Sequence, residues 1–294
     1  MSLKITFDVF SGRQNPSVVL TAQESADLLA RIGPIPPHPA GAAQPASDAS
    51  TLGYRGLVIE QLQPGPAGIP QRFRIAGAAL SAPSGNLKTI SPAIEQSILG
   101  NAALLARAAI PAELSTIIQA QSAAHPATAP TSPSAPTAGP LVCRCAPLYE
   151  PNWWNDGATG GAKQFWNNCY NYACDYRTDT FAQPGNASNA QWTHLTCANV
   201  GPAAVKDGLQ NIKITTIKCP SEGHLVALCM WENFDYHWYR MGRDGLWTHK
   251  PGGTAVTNVD NSGHLITDPR LADRGVYVGF CGFMVVMHGH IKLK

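Results

Sequence analysis

The sequence predicts an α+β chain built from two domains, on three observations. Short runs that alternate apolar and polar residues read as strands, and segments with helix-start signals stand among them. A tract of Pro, Ala, Ser and Thr then separates a cysteine-free first part from a second part holding all eight cysteines and all seven tryptophans. The expected boundaries are a small α+β module at 1–120, a linker at 121–141 and a second domain at 142–294.

In the first part, Lys4-Ile-Thr-Phe-Asp-Val-Phe10 alternates like a strand, Ser11–Pro16 is a turn cluster, and Ser17–Leu20 continues extended. Thr21-Ala-Gln-Glu24 forms a capping box that starts a helix to about Ile32. Residues 33–50, rich in Pro and Ala, read as a loop. Leu57–Leu62 and Arg72–Ala76 are further strands. Ser91 caps a helix with Pro92 in its first turn, and helical patterning resumes over about 102–121. The stretch from Ala123 to Pro140 has no charge and no large apolar residue, so it reads as a stiff extended tether.

In the second part, Gln164 leads to a helix bearing Cys169. His224–Trp231, Tyr236–Arg240 and Leu246–His249 then read as an antiparallel meander, with turns at 232–234 and 242–245. Tyr277–Val286 reads as a last strand, apolar on both faces.

Composition narrows the function. Apolar residues make up 44%, enough for a sizeable core, while charged residues make up only 14% and the net charge is +2, evenly divided. No part carries the positive field that nucleic acid needs. No apolar run reaches the roughly 18 residues of a membrane span. The N-terminus has an early acidic residue and no apolar core of a signal peptide, so the expected location is the cytoplasm, or the outside by a route without a cleaved signal. The Asn186-Ala-Ser188 acceptor pattern then reads as incidental. The first module has no catalytic motif and reads as a packing or partner-binding unit.

The chemistry concentrates at Cys169. A thiol at a helix start ionises more readily, and a histidine on a nearby strand would complete a nucleophile–base pair. The segment Cys169-Tyr-Asn-Tyr172-Ala173, with Arg177 beyond it, resembles the CHAP-type pattern. His237, Gly245 and His249 resemble the NlpC-type pattern, in which the base and a second histidine are separated by a glycine turn. The second part therefore resembles the papain-like fold in its compact bacterial form, a Cys-bearing helix packed on an antiparallel meander.

That resemblance implies a thiol hydrolase, a cysteine peptidase or amidase, acting on a peptide or a peptidoglycan-like amide without a cofactor. Cys169 would be the nucleophile, His237 the base and His249 its orienter, with Gln164 contributing to an oxyanion hole. Glu222-Gly-His224 resembles the strand entry that carries the base in CHAP-type domains, so His224 competes with His237. Asp244, Asp260 and Asp268 are further candidate orienters.

Other readings stay open. Acyl transfer could use the same pair. The seven tryptophans and eight tyrosines also suit a non-catalytic, toxin-like module that binds carbohydrate or peptide. Cys143-Arg-Cys145 and His288-Gly-His290 could form a mixed metal site, although their spacing is not that of common structural zinc sites; the expectation is no metal. Cys143 with Cys145, Cys169 with Cys174, or Cys219 with Cys229 could form disulfides. Gly157–Gly161 lacks the residues of a phosphate loop.

Overall fold

The structure is a computed structural model that describes residues 2–35, 51–63, 68–82, 85–124, 142–155, 162–212, 214 and 216–294. Most of the expected loop at 33–50, the expected linker from 125 onward and the Gly157–Gly161 stretch lie outside the described residues. The mixed α+β class is observed. Two compact units are present: Met1–Val9, Asn15–Ser47 and Gly53–Ala129 form the first, and Phe10–Gln14, Asp48–Leu52 and Pro130–Lys294 the second.

In the first unit, β1 (Leu3–Phe7) pairs antiparallel with β2 (Ser17–Val19) on one side and β3 (Leu57–Gln61) on the other. The alternation of β1 buries Leu3, Ile5 and Phe7 completely. Between them runs α1 (Ala22–Ile32), whose capping box forms as read: the Thr21 hydroxyl accepts from the Glu24 N–H, and the Glu24 carboxylate accepts from the Thr21 N–H.

The sheet continues through β4 (Arg72–Ala76), β5 (Ala79–Ala82) and β6 (Gly85–Thr89), in the order β2-β1-β3-β4-β5-β6. The last two strands escaped the sequence reading, because their short, small-residue runs lack the alternation that marks β1. In α2 (Ala93–Leu99), Pro92 takes the cap position, and the Ser91 hydroxyl accepts from the Ala93 N–H. The helix read at 102–121 is two, α3 (Ala102–Arg107) and α4 (Ala112–Ala123), split ahead of Pro111, which cannot donate the helical bond. Buried beside them, Asp8 binds Arg55 at 2.6 Å and Arg74 at 2.7 Å. Burial raises the Asp8 carboxyl, but the two guanidinium charges outweigh it and hold it well below the usual range.

The second unit contains α5 (Pro151–Trp154), α6 (Ala162–Trp166), α7 (Cys169–Ala173) and α8 (Cys197–Lys206). Its sheet holds β7 (Gln210–Ile212), β8 (His224–Trp231), β9 (Asp235–Met241), β10 (Trp247–His249) and β11 (Gly279–Val286), ordered β10-β9-β8-β11-β7. The meander β8-β9-β10 is as expected, and β11 crosses over to the other side of β8. Val226, Leu228 and Met230 of β8, Tyr236 and Trp238 of β9, and Met284 and Val286 of β11 pack in one cluster with Cys169, Tyr170, Val200 and Ala204. One face of the sheet is thus covered by α7 and α8.

Only the second half of β11 is fully buried; Gly279–Gly282 is half-buried around a bulge. Disulfides join Cys143 to Cys219 and Cys197 to Cys281. None of the three expected pairings forms, because folding brings together cysteines far apart in sequence and leaves Cys169, Cys174 and Cys229 as buried thiols and Cys145 as an exposed one. Among the described residues, no helix is long and apolar enough to cross a membrane.

Candidate functional site

Asn168 caps α7: its side-chain oxygen accepts from the N–H groups of Tyr170 and Asn171, while the Asn171 side chain accepts from the Asn168 N–H. This positions Cys169 at the first helical residue, with its sulfur 3.9 Å from the Tyr236 carbonyl. The thiol is fully buried. Burial first, and then the charge of Asp235, push its pKa well up. The expected activation by the helix start is outweighed. The helix has only five residues, and its first N–H groups already serve the Asn168 cap.

The expected base and orienter do meet. His237 Nε2 lies 2.9 Å from His249 Nδ1, and His249 Nε2 lies 2.9 Å from the Val259 carbonyl. A carbonyl can only accept, so His249 donates from Nε2, and its neutral ring accepts from His237 through Nδ1. Burial holds the His249 pKa down to about 4. At the other end, His237 Nδ1 lies 2.6 Å from the Ser11 hydroxyl. The side chains of Ser11, His237 and His249 are fully buried, and the chain ends on the carbonyl of half-buried Val259. His237 shares a pleat face with Tyr239 and edges against Tyr277, whereas Tyr236 and Trp238 point to the α7 side. The Ser11 hydroxyl also contacts the Cys169 thiol, and so stands next to both residues of the expected pair. No sequence signal in the Ser11–Pro16 turn cluster points to this position.

The remaining candidates have structural partners. His224 Nε2 bonds the Ala173 carbonyl at 2.7 Å, and burial lowers its pKa to about 3. Gln164 is buried, and its backbone carbonyl accepts from Lys250 Nζ at 2.6 Å. Asp244 and Asp260 accept from backbone N–H groups in turns, and Asp268 pairs with Arg270. His288 reaches the Cys145 carbonyl at 3.3 Å, but the sulfur of Cys143 is committed to Cys219.

Three aromatic side chains, Trp153, Trp166 and Tyr176, are among the exposed large apolar residues. Adjacent residues of α5 divide between core and surface. Trp154 is buried edge-on against Tyr172, with ring centroids 5.1 Å apart, while Trp153 is 59% exposed. The Arg177 guanidinium lies 4.7 Å from the Trp153 ring centre and donates to the Trp153 carbonyl at 2.7 Å. Arg177 also pairs with Asp179 at 3.6 Å, and Asp179 accepts from the Asn167 side chain at 2.9 Å. Asn167 follows Trp166, the end of α6, which is 56% exposed. Lys250 holds this helix: its Nζ is fully buried and donates to the carbonyls of Gln164, Gly252 and Thr254. A path of hydrogen bonds and an ion pair thus runs from the Trp153 carbonyl through Arg177 and Asp179 to Asn167, the residue after Trp166.

The fold and its surfaces define a disulfide-linked α+β protein that leaves Trp153 and Trp166 half-exposed and buries Cys169 with His224, His237 and His249. No family model and no solved structure matches the chain. The chain belongs to the family of insoluble matrix shell protein 1 of Ruditapes philippinarum, with which it is 42% identical over 144 residues, 48% of this chain and 91% of that protein. This kinship overturns the expected thiol hydrolase, peptidase or amidase: the relative is a matrix component, and the buried, hard-to-ionise Cys169 agrees with that correction. The two disulfides together with a shell-matrix relative also overturn the expected cytoplasmic location and point outside the cell.

Proposed function

We propose that this chain is a non-catalytic, extracellular matrix protein whose second unit holds carbohydrate on the surface formed by Trp153, Trp166 and Arg177. The observation that carries the reading is the pair of half-exposed tryptophans linked by that path of hydrogen bonds and an ion pair. Exposed indole faces gain from stacking on the apolar faces of sugar rings, and the half-exposed Asp179 carboxylate supplies acceptors for hydroxyls while Arg177 holds Trp153 in place. The low charge of the chain suits a neutral polymer. Kinship with a shell matrix protein supports the setting. The resemblance to the papain-like fold enters this proposal as scaffold only, a helix carrying Cys169 on an antiparallel sheet with the catalytic use absent.

The test is retention on insoluble particles of a β-linked glucan and of its acetamido counterpart. The intact chain is expected to be retained on at least one. Trp153→Ala combined with Trp166→Ala should weaken retention roughly 10-fold or more, since loss of stacking is worth about 0.5–1.5 kcal/mol per ring. Cys169→Ala should bind like the parent. Retention unchanged by the double tryptophan substitution would sink the reading.

A further inference from the structure

The segment Phe10–Gln14 belongs to the second unit, although Val9 before it and Asn15 after it belong to the first. Inside the second unit it is held as a peptide ligand is held. The Asp235 carboxylate accepts from three successive backbone N–H groups, those of Ser11 at 2.5 Å, Gly12 at 3.1 Å and Arg13 at 3.1 Å. Tyr277 donates to the same carboxylate at 2.6 Å. The Gly12 carbonyl receives three side-chain donors, Asn168 at 2.5 Å, Gln183 at 2.8 Å and Tyr236 at 3.1 Å.

The side chains are read as well. The Ser11 hydroxyl meets His237, the Arg13 guanidinium stacks on Phe10 at 4.6 Å and donates to the Phe234 carbonyl, and Phe10 packs toward Trp231. Glycine is required at position 12. A Cβ there would come within 2.3 Å of the Tyr236 ring, which is fully buried and cannot swing aside.

An ordinary turn satisfies its backbone from within or through a strand ladder. Here the polar groups of Ser11 and Gly12 are met by side chains from α7, from Gln183 and from the start of β9, more than 150 residues away in sequence. Asp235 is itself fully buried, so without the segment its carboxylate would lose the N–H groups that compensate its burial.

We propose that the second unit carries a recognition site for a Phe-Ser-Gly-Arg turn, occupied by the chain's own Phe10–Gln14, and that the same segment of a second copy competes for it. With one such segment and one such site per chain, two copies can exchange segments reciprocally in a closed pair, or add head to tail in an open series. This inference uses none of the tryptophans of the carbohydrate surface, so either can fail alone.

The probe is the octapeptide Val-Phe-Ser-Gly-Arg-Gln-Asn-Pro, the sequence of residues 9–16, titrated against the full chain carrying Gly12→Val, which displaces the resident segment. Binding is expected at micromolar concentration, at least 10-fold weaker to the parent chain, and at least 10-fold weaker again when Asp235→Asn is added. A peptide with Val in place of the glycine should not bind. Because Gly12→Val also bears on folding, the parent chain is tested in parallel with the octapeptide carrying a photo-crosslinking benzoyl group on its phenylalanine. Adducts should map to the Trp231–Tyr236 stretch and fade in excess unlabelled peptide. The proposal is overturned if the natively disulfide-bonded Gly12→Val chain ignores the peptide, or if the parent gives no adduct at that stretch.

Discussion

At the scale of single residues, burial decides the chemistry of this protein. Cys169 and Cys145 are both unpaired thiols, yet one is fully enclosed and the other exposed. Iodoacetamide at neutral pH should therefore alkylate Cys145 first, with Cys169, Cys174 and Cys229 modified only in denaturant; peptide mass mapping reads the order, and early labelling of Cys169 would contradict it. The histidines give a pH signature. The folded pKa of His249 is about 4 and that of His224 about 3, both below the ordinary 6.5. The unfolded chain thus binds protons that the folded chain excludes. Their contribution is intact above about pH 6.5 and is lost as pH falls toward 4. Melting of the second unit should drop by roughly 10 °C between pH 7 and pH 4. His249→Asn should be less stable at pH 7 but have a flatter profile. An unchanged slope would place the acid sensitivity elsewhere.

At the scale of elements, caps and staples position what the surface presents. The short α6 is held to the segment after β10 by Lys250, whose ammonium serves three carbonyls. Lys250→Met keeps the bulk and removes the donors, leaving those carbonyls buried and unpaired; the expected cost is about 3 kcal/mol in denaturant melts. Carbohydrate retention should fall with it, because Trp166 ends that helix. In the first unit, Thr21→Ala removes half of the capping box and should cost about 1 kcal/mol. That box was legible because it depends on residues three apart. So was the meander, whose strands alternate or run apolar between clear turns. The strands β5 and β6 and the helix α8 were not, since their sequences carry no strong period and tertiary packing fixes them.

At the scale of the whole molecule, the two units rest on different supports. The second is tied by disulfides spanning 76 and 84 residues, each worth about 4 kcal/mol in the chain-entropy account. The first has no cysteine and relies on its sheet, its helices and the Asp8 cluster with Arg55 and Arg74. Calorimetry with a reducing agent should therefore lower the transition of the second unit by 10 °C or more and leave that of the first in place. Conversely, the depressed Asp8 carboxyl stabilises the first unit above the ordinary carboxylate pKa of about 4 and loses that contribution as pH falls below it. Asp8→Asn should weaken that unit strongly at pH 7 and less at pH 3.

Short stretches of sequence suffice for the mixed α+β class, the contrast between a cysteine-free start and an aromatic, cysteine-rich remainder, the capped α1 and the strands that bring His237 to His249. Each of these follows from local periodicity, or from spacing across one hairpin. Long-range packing sets which cysteines pair, that Cys169 is sealed in the core, that Trp153 and not Trp154 faces outward, and that Ser11 lies against His237. Those outcomes depend on contacts between residues up to 226 apart, and on burial that no single stretch of sequence encodes. The difference reversed the functional reading: a thiol that looks poised for attack at a helix start is, once enclosed, a core residue.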